Sequence, residues 1–429
     1  MAPSSAVFTR YARRSAAIIV SISAFACGEA PRRSPANSPK VPERTAPAVP
    51  SAAETPDSAS AAPAPPRDGL ASPPQTLDEW RAIATPLRAA TRGGLRFTVD
   101  RADRWIVVAD TIAVGFERAS GRVRMINLRS GAERQVGRLG AGPLEFSTVA
   151  AVGAWSGDSV VIMDSGLMRA TVLSALSGAG RTFAYASVDS ALRGDLVGAA
   201  GATGLVFRSL RNNTERGEAG MYRAEMTLHV VPLASGVPPQ HIALAGYAGF
   251  RIRVGGGMIN GNAPVTDGPL VAPTPSGLLS IPVGTDSLFA LRAPNPPTLI
   301  KRLGISTVAL SGETRRRILD GYLSKFAKSP PEVVTALREK MVIPARVSPL
   351  DALWSGADAT SWTHLVFPEA TDAQTVWIQW NAEGALVRCV RTDRTQRVLA
   401  FTGTQALVAT EHDDGEFVVT LAPLPERFG

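Results

Sequence analysis

Apolar residues in this chain recur in short runs bounded by turn residues. Between Gly137 and Arg181 three such runs, 149–155, 159–163 and 169–176, are set apart by Ser156-Gly157-Asp158, Asp164-Ser165-Gly166 and Ser177-Gly178-Ala179-Gly180. Each run is too short for a helix and is rich in Val, Ile, Leu or Thr, which predicts strands joined by tight turns in a meander. The pattern returns at Asp103-Arg104-Trp105-Ile106-Val107-Val108, Gly204-Leu205-Val206-Phe207 and Asp286-Ser287-Leu288-Phe289-Ala290-Leu291. Thr375-Val376-Trp377-Ile378 and Asp414-Gly415-Glu416-Phe417-Val418-Val419 continue it. A four-strand unit repeated with variable loops has this signature, and so does an irregular β-sandwich.

One interval departs from the β rhythm. Ser311 can cap a helix whose apolar residues Ile318, Leu319, Tyr322, Leu323 and Phe326 fall at helical spacing. Ser329-Pro330-Pro331-Glu332 then reads as a stop and a new N-terminus, with Val333, Val334, Leu337 and Met341 on the second helix's face. The expectation is a helical hairpin at about 311–341 packed on the β domain, with Arg315, Arg316 and Arg317 on its exposed side; the alternative is a lid or a partner-docking element.

The start of the chain carries an address. Arg10, Arg13 and Arg14 precede an uncharged segment of 12 residues, Ser15 to Ala26, and then Cys27. A basic start, a short apolar core and small residues before a break describe an export signal. The apolar part is well short of the ~20 residues that span a bilayer as a helix. The segment resembles a bacterial lipoprotein signal with Cys27 as the acylated residue, although Ala24 stands where Leu is usual; Ala24-Phe25-Ala26 also fits ordinary secretory cleavage. Gly28 resembles the outer-membrane sorting position of lipoproteins. Residues 27–76 are Pro-, Ala- and Ser-rich, with Pro47, Pro50, Pro56, Pro63, Pro65 and Pro66 at irregular spacing. Such a segment buries too little apolar surface to offset its ordering entropy, so it is expected to be a disordered tether. The folded domain is expected over 77–429, led in by an amphipathic piece at 77–87.

The corner Gly137-Arg138-Leu139-Gly140-Ala141-Gly142-Pro143-Leu144-Glu145-Phe146 opens the first meander. Its G-x-G-P-x-E-F pattern, followed by a strand and by Asp158-Ser159-Val160-Val161-Ile162-Met163-Asp164, resembles the six-bladed β-propeller lipoproteins of bacterial envelopes, relatives of the NHL-type propellers. The resemblance is specific near this corner and elsewhere rests on strand rhythm, on Trp354, Trp362, Trp377 and Trp380, and on a closing hairpin at 413–421. It implies an all-β, six-bladed propeller in which a terminal strand, 95–99 or 105–109, pairs with 417–421. Gly137, Gly140, Gly142, Pro143, Glu145 and Phe146 are then structural, with Glu145 accepting hydrogen bonds from nearby backbone N–H groups.

Composition narrows the function without naming it. The formal charge is +8, or +5 once Arg10, Arg13 and Arg14 leave with the signal, and lysine occurs only at 40, 301, 325, 328 and 340. The positives form no basic stripe or recognisable module, which argues against nucleic acid. Cys27 and Cys389 are the only cysteines. Cys389, inside an apolar run, reads as a small strand residue. His229, His241, His364 and His412 lack metal-ligand spacing, and no nucleophile elbow, phosphate loop or dinucleotide fingerprint occurs. Gly255-Gly256-Gly257 reads as a loop tip, and the acidic cluster 411–416 as a hairpin turn, so no metal, cofactor or catalytic group is assigned. The expected function is a monomeric binding scaffold for an envelope protein or glycan, held to the membrane by lipid. The alternative is a propeller hydrolase or lyase on glycans or lactones, with side chains gathered from different blades.

Acylation of Cys27 predicts that Cys27→Ser moves the protein from the membrane fraction to the soluble one and abolishes labelling by a fatty-acid analogue. Membrane association that persists in Cys27→Ser, with no label on the wild type, would exclude the anchor.

Overall fold

Among the described residues, short apolar runs, several of them buried on both faces, build six sheets of four or five strands, each based on an antiparallel meander. The computed structural model describes residues 74–428, apart from 89–93, 100–104, 118–119, 185–194, 201–203, 212–219, 233–238, 255–256, 266–267, 275–276, 292–294, 296, 357–359, 370–373, 394 and 413–414. The expected signal peptide, Cys27 and nearly all of the tether lie outside the described residues.

Blade 1 comprises Trp105–Val108, Ile112–Glu117, Arg122–Asn127 and Glu133–Val136, and blade 2 Val149–Ser156, Ser159–Asp164, Arg169–Ser174 and Gly180–Ala184. Blade 3 has five strands: Asp195–Ala200, Gly204–Arg211, Gly220–Pro232, Gln240–Val254 and Gly257–Asn262. Blade 4 is Leu270–Thr274, Gly277–Ile281, Ser287–Leu291 and Thr298–Arg302. Blade 5 is Leu350–Ser355, Ser361–Leu365, Thr375–Trp380 and Leu386–Thr392. Blade 6 takes Gln396–Phe401, Gln405–Glu411 and Phe417–Pro423 from the C-terminus and Arg96–Val99 from the other end of the chain.

The two faces of each blade serve two neighbours, as the period of 2 requires. In blade 2, Val160 and Ile162 pack against Val114, Val123 and Phe146 on the blade 1 side. Val161 and Met163 face the other way, onto Leu205 and Phe207 of blade 3. The innermost strands of blades 1 to 5 abut in order, the innermost strand of blade 6 abuts that of blade 1, and blades 5 and 6 share an aromatic seam. The ring is a β-propeller. The recurrent apolar pattern of the sequence falls on the first strand of blade 1, the second of blades 2 and 3 and the third of blades 4, 5 and 6, so its spacing is irregular.

Of the two terminal strands considered for closure, Arg96–Val99 is the one used, paired antiparallel with Phe417–Thr420. Trp105–Val108 instead starts blade 1. Further belts bind blade 5. Helix α1 (Leu77–Ile83), with a capping box between Thr76 and Glu79, buries Trp80 in the seam between blades 4 and 5. Thr85–Pro86 runs parallel to Val390–Arg391 at the blade's outer edge, and the Phe428 N–H donates to the Val387 carbonyl at 2.9 Å.

In a meander, the link from the outer strand of one blade to the inner strand of the next lies at the same end as the turn between second and third strands. The corner 137–148, the turn 165–168 and the helical insertion therefore share one mouth of the ring. The insertion links blades 4 and 5. Its helices are α2 (Gly312–Leu323), with Ser311 accepting from the Thr314 N–H, and α3 (Pro331–Lys340), with Pro331 in its first turn. Tyr322, Leu323, Phe326, Leu337 and Met341 pack on Phe250 and Ile252 of blade 3. Those residues lie where the strands of blade 3 run past the blade: its second strand ends at Arg211 opposite Glu225, whereas the third begins at Gly220 and the fourth continues to Val254. Arg315 and Arg316 are exposed, but Arg317 is half-buried and donates to the Pro368 carbonyl at 2.8 Å.

Closure by Arg96–Val99 predicts that a chain lacking residues 1–99 loses its single sharp thermal transition, because Phe417–Thr420 is left as an open edge. A melt followed by circular dichroism that keeps the wild-type midpoint and steepness would contradict this.

Candidate functional site

The corner at the mouth is assembled around two carboxylates, Glu145 and Asp164, and two guanidiniums, Arg138 and Arg169. Gly137 and Gly140 adopt φ of +90° and +152°. A Cβ at Gly140 would overlap Glu145 Oε2, and one at Gly137 would stand 2.6 Å from the Phe146 ring. Gly142 differs: its φ is not positive, and its need for glycine comes from Glu145 Oε2, which a Cβ would approach to 2.9 Å. The left-handed residue beside it is Leu144, at φ +56°, after the exposed Pro143. Glu145 accepts from the Gly142 N–H at 2.7 Å and from Arg138 Nε at 2.6 Å. Those two contacts, the backbone N–H first, hold its carboxyl below the ordinary value of 4.5. Phe146 is fully buried between blades 1 and 2, edge-on to Phe116.

Two residues of blade 2 complete the corner, and their pattern in the sequence gives no sign of that task. Arg169 donates to the carbonyls of Ala141 and Gly142 at 2.8 and 2.9 Å and also to that of Glu145. Asp164, 1% exposed, accepts from the N–H groups of Ser147, Thr148 and Leu167 at 2.6, 3.1 and 3.0 Å. This arrangement fixes backbone; it presents no group poised for acid, base or nucleophilic work.

Chemistry-bearing side chains meet elsewhere. In blade 5 a β-bulge between Leu350 and Ala352 leaves Asp351 as the extra residue, at the end of the inner strand nearest the mouth. The bulge re-aims its carboxylate at His364 of the next strand, with Oδ2 2.9 Å from Nδ1. The imidazole stacks on Trp377 at 4.3 Å, and Trp354, Trp362 and Phe401 extend the aromatic wall, Trp362 lying parallel to Phe401 at 3.6 Å. A carboxylate on one ring nitrogen orients the imidazole and raises its basicity, the pairing used in proton transfer. Neither sequence spacing nor a motif announces this pair, because a bulge and a strand pairing create it.

In blade 3, Ser209 Oγ lies 2.6 Å from His229 Nε2, and His229 Nδ1 lies 2.8 Å from His241 Nδ1. Cys389 is a buried strand residue under Trp80, its thiol pushed up to about 12 by burial. At the acidic cluster the His412 N–H donates to the Glu416 carbonyl and Glu411 pairs with Arg397 at 3.2 Å, while Asp413 and Asp414 lie outside the described residues. Gly255 and Gly256 lie outside the described residues. Among the described residues, no three metal-ligating side chains converge and no helix is long and apolar enough to cross a membrane.

No family model and no curated protein sequence matches this chain. Solved structures similar to it include a member of the DUF4221 family from Bacteroides vulgatus, with 9% identity and a TM-score of 0.44 over 80% of this chain and 99% of that one. A calcium-binding protein, regucalcin, from Agrobacterium tumefaciens shares 11% identity with a TM-score of 0.33, over 81% and 97% of the two chains. BamB from Moraxella catarrhalis shares 12% identity with a TM-score of 0.29, over 75% and 85%. The propeller assignment rests on the sheets and ring contacts of this chain itself.

Removing the Asp164 carboxylate leaves three backbone donors without their acceptor, which costs on the order of 3 kcal/mol. Asp164→Ala is therefore expected to lower the denaturation midpoint clearly more than Asp164→Asn, which keeps one acceptor oxygen. Equal midpoints for the two variants in urea titrations would contradict the role assigned to Asp164.

Proposed function

We propose that this protein is a membrane-tethered, extracytoplasmic binding scaffold whose docking face is the mouth carrying the helical insertion. The observation that carries the reading is the raised wall at that mouth. There the overshooting strands of blade 3 and the packed helices α2 and α3 stand above the rim, fixed by a shared apolar core and by the Tyr322 hydroxyl donating to the Asn262 carbonyl at 3.0 Å. Rigid, preorganised surfaces bind at lower entropic cost than mobile ones. Three of the five lysines of the chain, Lys325, Lys328 and Lys340, lie in this insertion, as do the exposed Arg315 and Arg316. The wall therefore suits an envelope protein or glycan bearing negative charge. The export signal and Cys27 supply the address, and residues 27–76 supply reach between lipid and ring.

The oriented Asp351–His364 pair favours a second reading, a hydrolase or lyase acting on glycans or lactones, in which His364 would take the proton. One experiment separates the two. Wild type, Arg315→Glu/Arg316→Glu and Asp351→Asn are compared for retention of solubilised envelope proteins and anionic glycans, and for turnover of a glycan and lactone panel. The scaffold reading expects at least tenfold weaker retention by the double variant and normal retention by Asp351→Asn. Turnover by the wild type that is lost in Asp351→Asn, with retention unaffected by the double variant, replaces it with the enzyme.

A further inference from the structure

We propose that His229 and His241 form a two-histidine site for a divalent first-row ion of tetragonal preference, Cu2+ above all. The two residues are directly opposite in the pairing of Gly220–Pro232 with Gln240–Val254. Their rings stand nearly perpendicular, 82° apart with centroids at 4.9 Å, and the Nδ1 atoms face each other across 2.8 Å. Metal–imidazole bonds are about 2.0 Å long, so two nitrogens bound cis at a right angle stand about 2.9 Å apart, and two in a tetrahedron about 3.3 Å apart. The observed separation matches the right-angled bite. Square-planar and tetragonal nitrogen sites select Cu2+ and Ni2+, and the general affinity order places Cu2+ first.

The surroundings suit a ligand role. His229 is 8% exposed, and its Nε2 lies 2.6 Å from Ser209 Oγ. With Nε2–H donating to that hydroxyl, the lone pair of Nδ1 is left facing His241, the tautomer a metal requires, and a hydrogen bond on the distal nitrogen is the usual support of a histidine ligand. His241 is exposed on the outermost strand over that stretch, since the fifth strand of the blade pairs only with Gly249–Val254. Its Nε2 can therefore carry the proton that leaves Nδ1. At neutral pH the site loads by this tautomer shift, with no net proton released. Among the described residues no third thiolate, carboxylate or imidazole joins the pair.

The test is titration of the purified full chain with Cu2+ against glycine as competitor at pH 7.5, read by calorimetry and electron paramagnetic resonance. The expected result is one ion per chain in a tetragonal spectrum with coupling from two nitrogens, at least tenfold tighter than Zn2+. His241→Ala, at an exposed position, should keep the wild-type melt, weaken Cu2+ binding at least tenfold and lose the two-nitrogen coupling; Ser209→Ala should give a smaller loss, and His412→Ala in blade 6 none. Equal binding by His241→Ala and wild type, or loss of binding in His412→Ala instead, would overturn the assignment.

Discussion

Four residues, Arg96–Val99, hold the two ends of the ring together by pairing with Phe417–Thr420. Bringing together strands more than 300 residues apart costs about 5 kcal/mol of chain entropy. Burial of Val99, Phe417 and Val419 at the junction opposes that cost, at roughly 1.5–3 kcal/mol for each large apolar side chain removed from water. Arg124 of blade 1 adds a polar clasp. One guanidinium nitrogen donates to the Thr98 carbonyl and to Glu117, another pairs with Glu133, and the group lies over the Phe97 and Trp105 rings. The clasp ties the borrowed strand of blade 6 to blade 1, whose first strand follows it in the chain.

A closed ring also sets a recurrent problem. Each link between blades must cross one mouth without leaving buried backbone groups unpaired. Carboxylates near the turns between second and third strands supply the acceptors. Asp164 holds the link entering blade 2 through Ser147 and Thr148, and Glu369 holds the link entering blade 5 through the Ser311 N–H, at 2.5 Å, while bonding the Thr314 hydroxyl as well. Asp286 accepts from the Gly304 N–H at the start of that same link. In blade 2, where the link is a tight glycine corner, Arg169 performs the complementary task and gathers the carbonyls. Acidic residues at the mouth are thus mostly structural, and an acidic cluster in the sequence says little about chemistry until its backbone donors are known.

The local parts of this architecture were legible in the residues, and the non-local parts were not. Runs of β-branched and apolar residues between Gly- and Asp-containing turns marked the first three strands of blade 2, and Ser311 and Pro331 marked the two helix starts, because strand period and capping are nearest-neighbour physics. Closure was narrowed to two candidate strands but not to one, since Arg96–Val99 and Trp105–Val108 have similar patterns and only the ring decides between them. The blade repeat was obscured by the 13- and 15-residue strands of blade 3 and by the insertion before blade 5. Gly142 reads as one more glycine of the corner, whereas its constraint is the close Glu145 side chain and not a backbone angle. Asp351 beside His364 and His229 opposite His241 were invisible in the sequence, one created by a bulge and the other by a strand register.

The wall at the mouth shows why these distant segments behave as one unit. Helices of 12 and 10 residues are marginal in water without an apolar surface to cover. The overshooting strands of blade 3, in turn, carry Phe250 and Ile252 beyond the shelter of the neighbouring blades, where an uncovered apolar strand invites pairing with other chains. Each element supplies what the other lacks. Burial pushes the Tyr322 phenol well above its usual range, so it stays protonated and keeps its donor bond to the Asn262 carbonyl throughout the physiological range. A lid that opened about the ends of the insertion would have to expose both apolar faces and break that bond. The insertion is therefore a fixed part of the rim.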